Sequence, residues 1–392
     1  MPPELDRATA NALLGYFQDR RQSVLILTRA IAEIESPSGD LNGSRGIVER
    51  LAEEAKQVKC VTGIERVPAA NDYGEHLRIT AFSDGASVGD ETILMIGHTD
   101  TVYPLGTLMK RPWREEQGRV YAPGVFDMKA NCALAIEVLR ACSALSLKPR
   151  RPVVLLLTCD EETGSFSGRA LVEGEARRAA SVLVLEPPAT GGRAKTGRKG
   201  TAGYQITAHG RAAHAGLEPE KGASAILEIA RQIERLHAMN DASCGTTVNV
   251  GVVCGGTRSN VVAAEARAEV DVRFTTMAEA ERIEREILNL LSFDERVRVS
   301  IEGEVNRPPL ERTERVIALY EQARRVAGKL GFELGETSVG GASDANFAAA
   351  VGAAVLDGLG IDGDGAHADH EHIVVEDIAR RGALLAGLIV TL

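Results

Sequence analysis

The run Val153-Val-Leu-Leu-Leu157 ends abruptly in Asp160-Glu-Glu162, and this junction constrains the chain more than any other stretch. Consecutive aliphatic residues bounded upstream by Pro152 read as a strand covered on both faces, the pattern of a parallel sheet in an α/β domain. Such sheets open their ligand crevice at the carboxyl ends of their strands, where these acids arrive. Taken alone, a Glu-Glu pair is equally well a solvated acidic loop.

Two further stretches repeat the pattern. Thr92-Ile-Leu-Met-Ile-Gly-His-Thr-Asp100 is a short apolar strand ending in His98 and Asp100, which point the same way if the chain stays extended. A ligating imidazole commonly gives its second ring N–H to a carboxylate, so one can bind a metal while the other orients it. Ser181-Val-Leu-Val-Leu-Glu186 ends in Glu186. Asp127, in Gly124-Val-Phe-Asp-Met-Lys129, precedes a helix predicted to run to about Ala144, where N-capping would account for it as well as chemistry. Buried charges are seldom left unpaired, so several apolar strands ending in acids and imidazole point to one shared crevice.

The rest of the chain supplies context. Helical spacing covers residues 4–35 and about 44–57, with a β region at 77–82 between the second helix and the first ligand strand. From about Gly200 to Glu304 the order is strand, helix (222–238), strand, strand, helix (277–292) and strand, the signature of a ferredoxin-like insertion. A helix over 314–330, a Gly-rich loop at 340–344, an Ala-rich helix and a strand at 353–356 then return to the first architecture. The expected organisation is a first part of the catalytic domain (1–199), an inserted lid or dimerisation domain (200–304) and the second part of the catalytic domain (305–392).

With 392 residues, 44% of them hydrophobic, the chain can fill two cores. A formal charge of −10 argues against a nucleic-acid or anionic-membrane surface and leaves small molecules as the expected partners. The six cysteines lack the close pairs of a zinc knuckle or redox motif and read as reduced thiols. Met1-Pro-Pro-Glu-Leu-Asp-Arg7 lacks the start of a signal peptide and no run approaches a membrane span, so the expected location is the cytoplasm.

Collecting the strand-end residues yields His98, Asp127, Glu161, Glu162 and Glu186, with one histidine from Gly365-Ala-His-Ala-Asp-His-Glu-His372 to complete the set. Two imidazoles and several carboxylates suit zinc or a neighbouring divalent metal and exceed what one four-coordinate ion needs. Two ions about 3.5–4 Å apart, bridged by a carboxylate, would use the ligands and leave one acid free.

At this point the chain resembles the co-catalytic dinuclear zinc family of glutamate carboxypeptidases, aminoacylases, acetylornithine deacetylases and succinyl-diaminopimelate desuccinylases. The motifs carrying the resemblance are Gly97-His-Thr-Asp-Thr-Val102, Gly124-Val-Phe-Asp-Met-Lys129, Asp160-Glu-Glu-Thr-Gly-Ser165, His214-Ala-Gly216 and His367 followed by Glu371. Gly340-Gly-Ala-Ser-Asp-Ala345 and Glu186-Pro favour the glutamate carboxypeptidase branch.

The resemblance implies a zinc-exopeptidase-like catalytic domain with a central mixed, largely parallel sheet, interrupted by the ferredoxin-like α+β lid. It implies two divalent ions, Zn2+ with Co2+ or Mn2+ as alternatives. His98 and Glu186 would bind separate metals, Asp127 would bridge them, Glu162 would complete one site and His367 the other. Asp100 would orient His98, Glu161 would be the general base, and the Asp127–Met128 peptide would be cis. His214 would donate to the oxyanion, often across a homodimer formed through the inserted domain.

Asn260, Arg273 and Gly341 would meet the substrate, with Arg273 alternatively pairing with a neighbouring acid, and Arg198-Lys199 would add charge at the hinge or form a solvated turn. His370 and His372 receive no role. The implied activity is carboxypeptidase-like cleavage of an amide next to a free carboxylate. The alternatives are N-acyl amino acid deacylation and a non-catalytic zinc-binding homologue; a phosphoester hydrolase lacks any phosphate-cradling motif.

Overall fold

The computed structural model describes residues 4–84 and 91–392, and the chain divides into two compact units. The first comprises Met1–Thr196, Arg312–Val339 and Ser343–Leu392; the second comprises Gly197–Glu311 and Gly340–Ala342.

The first unit is built on a six-stranded sheet in the order Val61–Pro68, Glu75–Ala81, Val153–Thr158, Thr92–His98, Ala179–Val184, Val355–Leu356. Glu75–Ala81 runs antiparallel to both of its neighbours, Val61–Pro68 and Val153–Thr158, and Val153–Thr158, Thr92–His98, Ala179–Val184 and Val355–Leu356 run parallel. The three central strands are therefore neighbours whose carboxyl ends emerge together.

Period-two alternation explains why they read as unbroken apolar runs. Ile93, Met95, Val153, Leu155 and Leu157 enter the large core with the helices Arg7–Ala32, Ala130–Ala144 and Asp377–Thr391. Leu94, Ile96, Val154 and Leu156 turn to the other face, near the helix Arg169–Ala176, and are equally buried. Each such side chain contributes about 1.5–3 kcal/mol by leaving water, so a polar substitution anywhere on these strands would be costly.

The helix Asp377–Thr391 is absent from the sequence expectations. It is buried on almost every side, from Ile378 to Ile389, so no polar stripe marks its period. Four very short strands, ordered Gly363–Asp364, His372–Val374, Arg119–Tyr121 and Arg114–Glu116, were also not anticipated, being only two or three residues each. Among the described residues, no helix is long and apolar enough to cross a membrane.

The second unit is a four-stranded antiparallel sheet in the order Thr247–Gly255, Glu265–Phe274, Gly200–His209, Arg298–Arg307. The helices Ala225–His237 and Met277–Leu288 complete the β-α-β-β-α-β order. Tyr204, Ile206, Ala268, Val270 and Val272 share its separate core with Ile229 and Ile283 of the helices.

Candidate metal centre

The ends of the parallel strands deliver the acids and imidazoles to one place. His98 closes its strand, Glu161 and Glu162 follow Val153–Thr158, and Glu186 follows Ala179–Val184. Asp127 comes from a single π-type turn, Val125–Lys129, ahead of the helix Ala130–Ala144, whose N-cap position is Lys129. Asp127 is therefore not a helix cap; its backbone at φ −116° and ψ 92° turns the carboxylate away from the helix end. The Asp127–Met128 peptide is cis.

Distances sort the residues into two groups around Asp127. One face of its carboxylate meets His98, with Nε2 3.1 Å from Oδ1, and His98 Nε2 also lies 3.6 Å from Glu186 Oε1. The other oxygen is 3.5 Å from His367 Nε2, which is 3.2 Å from Glu162 Oε2. By the shorter contacts His98 goes with Glu186 and His367 with Glu162; His98, Asp127 and Glu162 also bring ligand atoms within 4.8 Å of one another, a grouping compatible with His98 and Glu186 on separate ions, as the resemblance implies. A Glu161 oxygen joins His98 and Glu186 in a further grouping whose atoms lie within 4.8 Å of one another.

Glu161 and Glu162 diverge for a reason that strand alternation does not supply. They start a 3-10 turn, Glu161–Thr163, in which successive side chains are about 120° apart. The turn is pinned from below. The Asp100 carboxylate accepts from Glu161 N at 3.2 Å, Glu162 N at 3.1 Å and Ser38 Oγ at 2.6 Å. Buried Asp344 accepts from Thr158 Oγ1 at 2.9 Å and from Ser165 Oγ, one on each side of the turn.

His98 Nδ1 is 3.0 Å from the Asp100 carbonyl and 3.4 Å from its carboxylate, so Asp100 orients the ring mainly through its main chain. Gly97 leaves room for Met128, whose Cε would lie 2.5 Å from an added Cβ.

These residues fit a divalent cation on the chemistry of the donor set. Glu162 Oε1 is buried with no hydrogen-bond partner, a costly state that a cation would relieve. Burial raises the Glu162 pKa. Burial also opposes charge on Asp127, but His367 and His98 hold its carboxyl well below the usual range. Burial opposes charge on His98 too, and contacts with Asp100 and Asp127 outweigh it, holding that imidazole well above the ordinary value. Asp127 and Glu162 push His367 up to about 10.

In the metal-free protein these contacts favour the protonated form of both imidazoles, and a metal would have to displace those protons. A histidine raised in the fold keeps its proton to higher pH, so metal affinity should rise with pH up to about 10, where His367 gives up its proton, and flatten above. Calorimetric metal titration at pH 7 in buffers of different ionisation enthalpy should register net proton release. Identical heats in those buffers would contradict the site.

A third grouping, His76, Cys159 and Asp160, is buried but already committed. His76 Nδ1 accepts from Cys159 N, Nε2 meets Ser167 Oγ at 3.0 Å, and Asp160 accepts from Ser167 N and Gly168 N. Burial pushes the Cys159 thiol far up, and pushes Asp160 up to about 6. This cluster braces the acid turn.

The remaining expected residues lie elsewhere. In the second unit His214 is exposed, and its Nδ1 accepts from Gly216 N and Leu217 N, both at 3.1 Å, which leaves the proton on Nε2. Asn260 lies on the strand-like partner of that loop, with Ala215 N donating to its carbonyl at 3.0 Å. Arg273 forms a bidentate pair with Asp271, both bonds 2.9 Å, which is the alternative noted for it.

Gly341 O and Ala342 O accept from Arg198 Nη1, so buried Arg198 braces the Gly-rich loop and is not a solvated turn. The helix after that loop, Ala345–Ala350, has six residues and carries Asp344 at its N-cap, which disfavours an anion there. His370 is exposed, 3.9 Å from Asp364; His372 is buried against the Tyr121 ring. Neither belongs to the centre. Glu371, whose motif was noted without a role, is tied into it by main-chain bonds described below.

Comparison with protein-family models matches residues 94–391 to peptidase family M20/M25/M40. Carboxypeptidase G2 of Pseudomonas sp. (strain RS-16) is 28% identical, over 97% of this chain and 92% of that protein. Acetylornithine deacetylase of Myxococcus xanthus is 30% identical, over 82% of this chain and 86% of that protein. Among solved structures, aminopeptidase PepT from Bacillus cereus superposes with a TM-score of 0.74 at 22% identity, covering 95% of this chain and 98% of its own, a likeness of fold.

Proposed function

Because this chain belongs to peptidase family M20/M25/M40, we propose that its centre holds two divalent ions, Zn2+ first with Co2+ or Mn2+ as substitutes, and cleaves an amide next to a free carboxylate. Metal-dependent amide hydrolysis is the chemistry of its metallo-carboxypeptidase and deacylase relatives, and the chain is a hydrolase of that class. The observation that carries the finer reading is the two-sided Asp127 carboxylate, with His98 and Glu186 on one side and His367 and Glu162 on the other.

Bound there, the ions would supply Lewis-acid polarisation of the amide carbonyl and lower the pKa of a water towards about 7. Glu161, left over once each side has its imidazole and its carboxylate, would accept a proton from the attacking water. Attack of the water oxygen on the carbonyl carbon would place a negative charge on the carbonyl oxygen; as that charge returns to re-form the carbonyl, the C–N bond breaks with its electron pair on nitrogen, to which Glu161 would hand its proton. Asp100 keeps Glu161 and Glu162 in register through their N–H groups.

His214, from the same chain or a second copy, is the candidate donor to the oxyanion, since its Nε2 carries the proton. Asn260 is proposed ahead of Arg273 as the carboxylate contact. Arg273 would first have to leave Asp271. A homodimer through the second unit is supported by its edge strand Thr247–Gly255, with Val252 and Val253 about half exposed, beside the exposed Ile226 and Leu227. Sedimentation of a fully active monomer would remove that part of the reading.

The test is a panel of dipeptides and N-acyl amino acids assayed with metal-reconstituted enzyme, each beside its C-terminal amide. Losing one charge-assisted contact, worth about 1.5–3 kcal/mol, predicts about 10–100-fold lower kcat/KM for the amides. Equal rates for acid and amide would reject the carboxylate requirement. The ratio of dipeptide to acyl-amino-acid turnover separates carboxypeptidase from deacylase action.

A further inference from the structure

Glu371 lies four residues beyond His367 and is buried, at 2% exposure. Its two oxygens collect three main-chain N–H groups from the loop that ends in Asp127. Oε2 accepts from Gly124 N at 2.8 Å, and Oε1 accepts from Phe126 N at 2.9 Å and Asp127 N at 3.0 Å. Carboxylates bound by N–H donors in the interior hold geometry firmly, because breaking one bond strands a charge or a donor.

At its other end Glu371 is fixed to the His367 loop. Ala368 N bonds Gly365 O and Glu371 N bonds Ala368 O, two consecutive turns of which the first contains His367. Gly365, at φ +83°, permits this fold; a Cβ there would meet Glu371 N and Cα at 2.9 Å. Tyr103 Oη and Arg111 Nη1 both donate to Ala368 O, with the Arg111 guanidinium 4.4 Å from the Tyr103 ring, so the turn is held from outside as well. His372 pairs with Tyr121 across the small sheet, which brings the two loops side by side.

We propose that Glu371 is a positioning residue that clamps the loop of the bridging ligand Asp127 to the loop of His367, so that the two halves of the metal centre are assembled by one side chain. The inference rests on the dinuclear reading above. Both Glu371 oxygens are taken up by main-chain N–H groups. Its effect runs through Asp127 and His367, and the more exposed His367 side depends on it most, because His367 stands on a turn at φ +62° with half of its side chain in solvent.

Glu371→Gln keeps the shape but turns an NH2 group towards a main-chain N–H, so at least one clamp bond is lost. Apo-protein is titrated with Co2+, followed by calorimetry and by the visible absorption of the bound ion, in wild type and variant. Wild type is expected to take up two ions. In Glu371→Gln the weaker ion should bind about 10–100-fold less tightly, the range found when a partner of a metal ligand is removed. At saturating Co2+, kcat should return to within a few-fold of wild type with KM unchanged.

Wild-type affinity for both ions in Glu371→Gln would overturn the inference, however far the melting temperature of the apo-protein fell. Should that variant fail to fold, Glu371→Asp, which keeps the charge but withdraws it by one methylene, decides by the same titration. Weakened uptake of the second ion supports the clamp, and undiminished uptake overturns it. Uptake of fewer than two ions by wild type would instead defeat the dinuclear reading, and the clamp with it.

Discussion

Glu161→Gln is expected to bind both ions as wild type does and to lower kcat by about 10²–10⁴-fold, the usual contribution of a general base. That loss corresponds to about 3–5 kcal/mol of activation free energy. The reasoning is one of elimination. Asp127 has one oxygen towards His98 and one towards His367; Glu186 accompanies the first and Glu162 the second.

Glu161 is anchored through its N–H to Asp100, in a 3-10 turn that separates it from Glu162. Gln keeps the size and the main-chain bond and removes only the basic oxygen. Metal content by mass spectrometry and kcat on the best substrate of the panel check both halves. Loss of an ion with the loss of rate would make Glu161 a ligand.

Asp127→Asn is the second large effect. An amide offers one oxygen where the bridge needs two, and its NH2 group would face either His98 or His367. The protein should retain at most one ion, with activity down on the order of 10³-fold or more, since several kcal/mol of transition-state charge stabilisation disappear at 1.36 kcal/mol per tenfold. Excess metal should not restore it. Here it differs from Glu371→Gln, where the ligand is intact and only its placement is loosened. Metal-to-protein ratios at rising Zn2+ concentration separate the two; recovery of full activity by Asp127→Asn in excess metal would show that the bridge is dispensable.

Much of the centre was legible because the sheet writes its ligands at the ends of apolar runs. Val153–Thr158, Thr92–His98 and Ala179–Val184 are adjacent and parallel, so three sequence-distant acids or imidazoles became neighbours by topology alone. The ferredoxin-like insertion was legible for a similar reason, as its two central strands alternate cleanly and its helices have one apolar face.

What stayed hidden depends on local geometry or on contacts between distant turns. The 3-10 turn at Glu161 has no hydrophobic period, and the pairing of His98 with Glu186 depends on which side of Asp127 each loop reaches. The clamp by Glu371 links main-chain atoms about 245 residues away in sequence, and backbone donors carry no signature in the identity of Gly124 or Phe126. The buried C-terminal helix Asp377–Thr391 shows no polar stripe for periodicity to find.

The most direct test of the dinuclear centre is hydrolysis measured as Zn2+ is added back stepwise to the apo-enzyme. Activity is predicted to rise and reach its plateau at two equivalents per chain, because Asp127 serves both sides of the site. Full activity reached at one equivalent, or with none, would contradict the account.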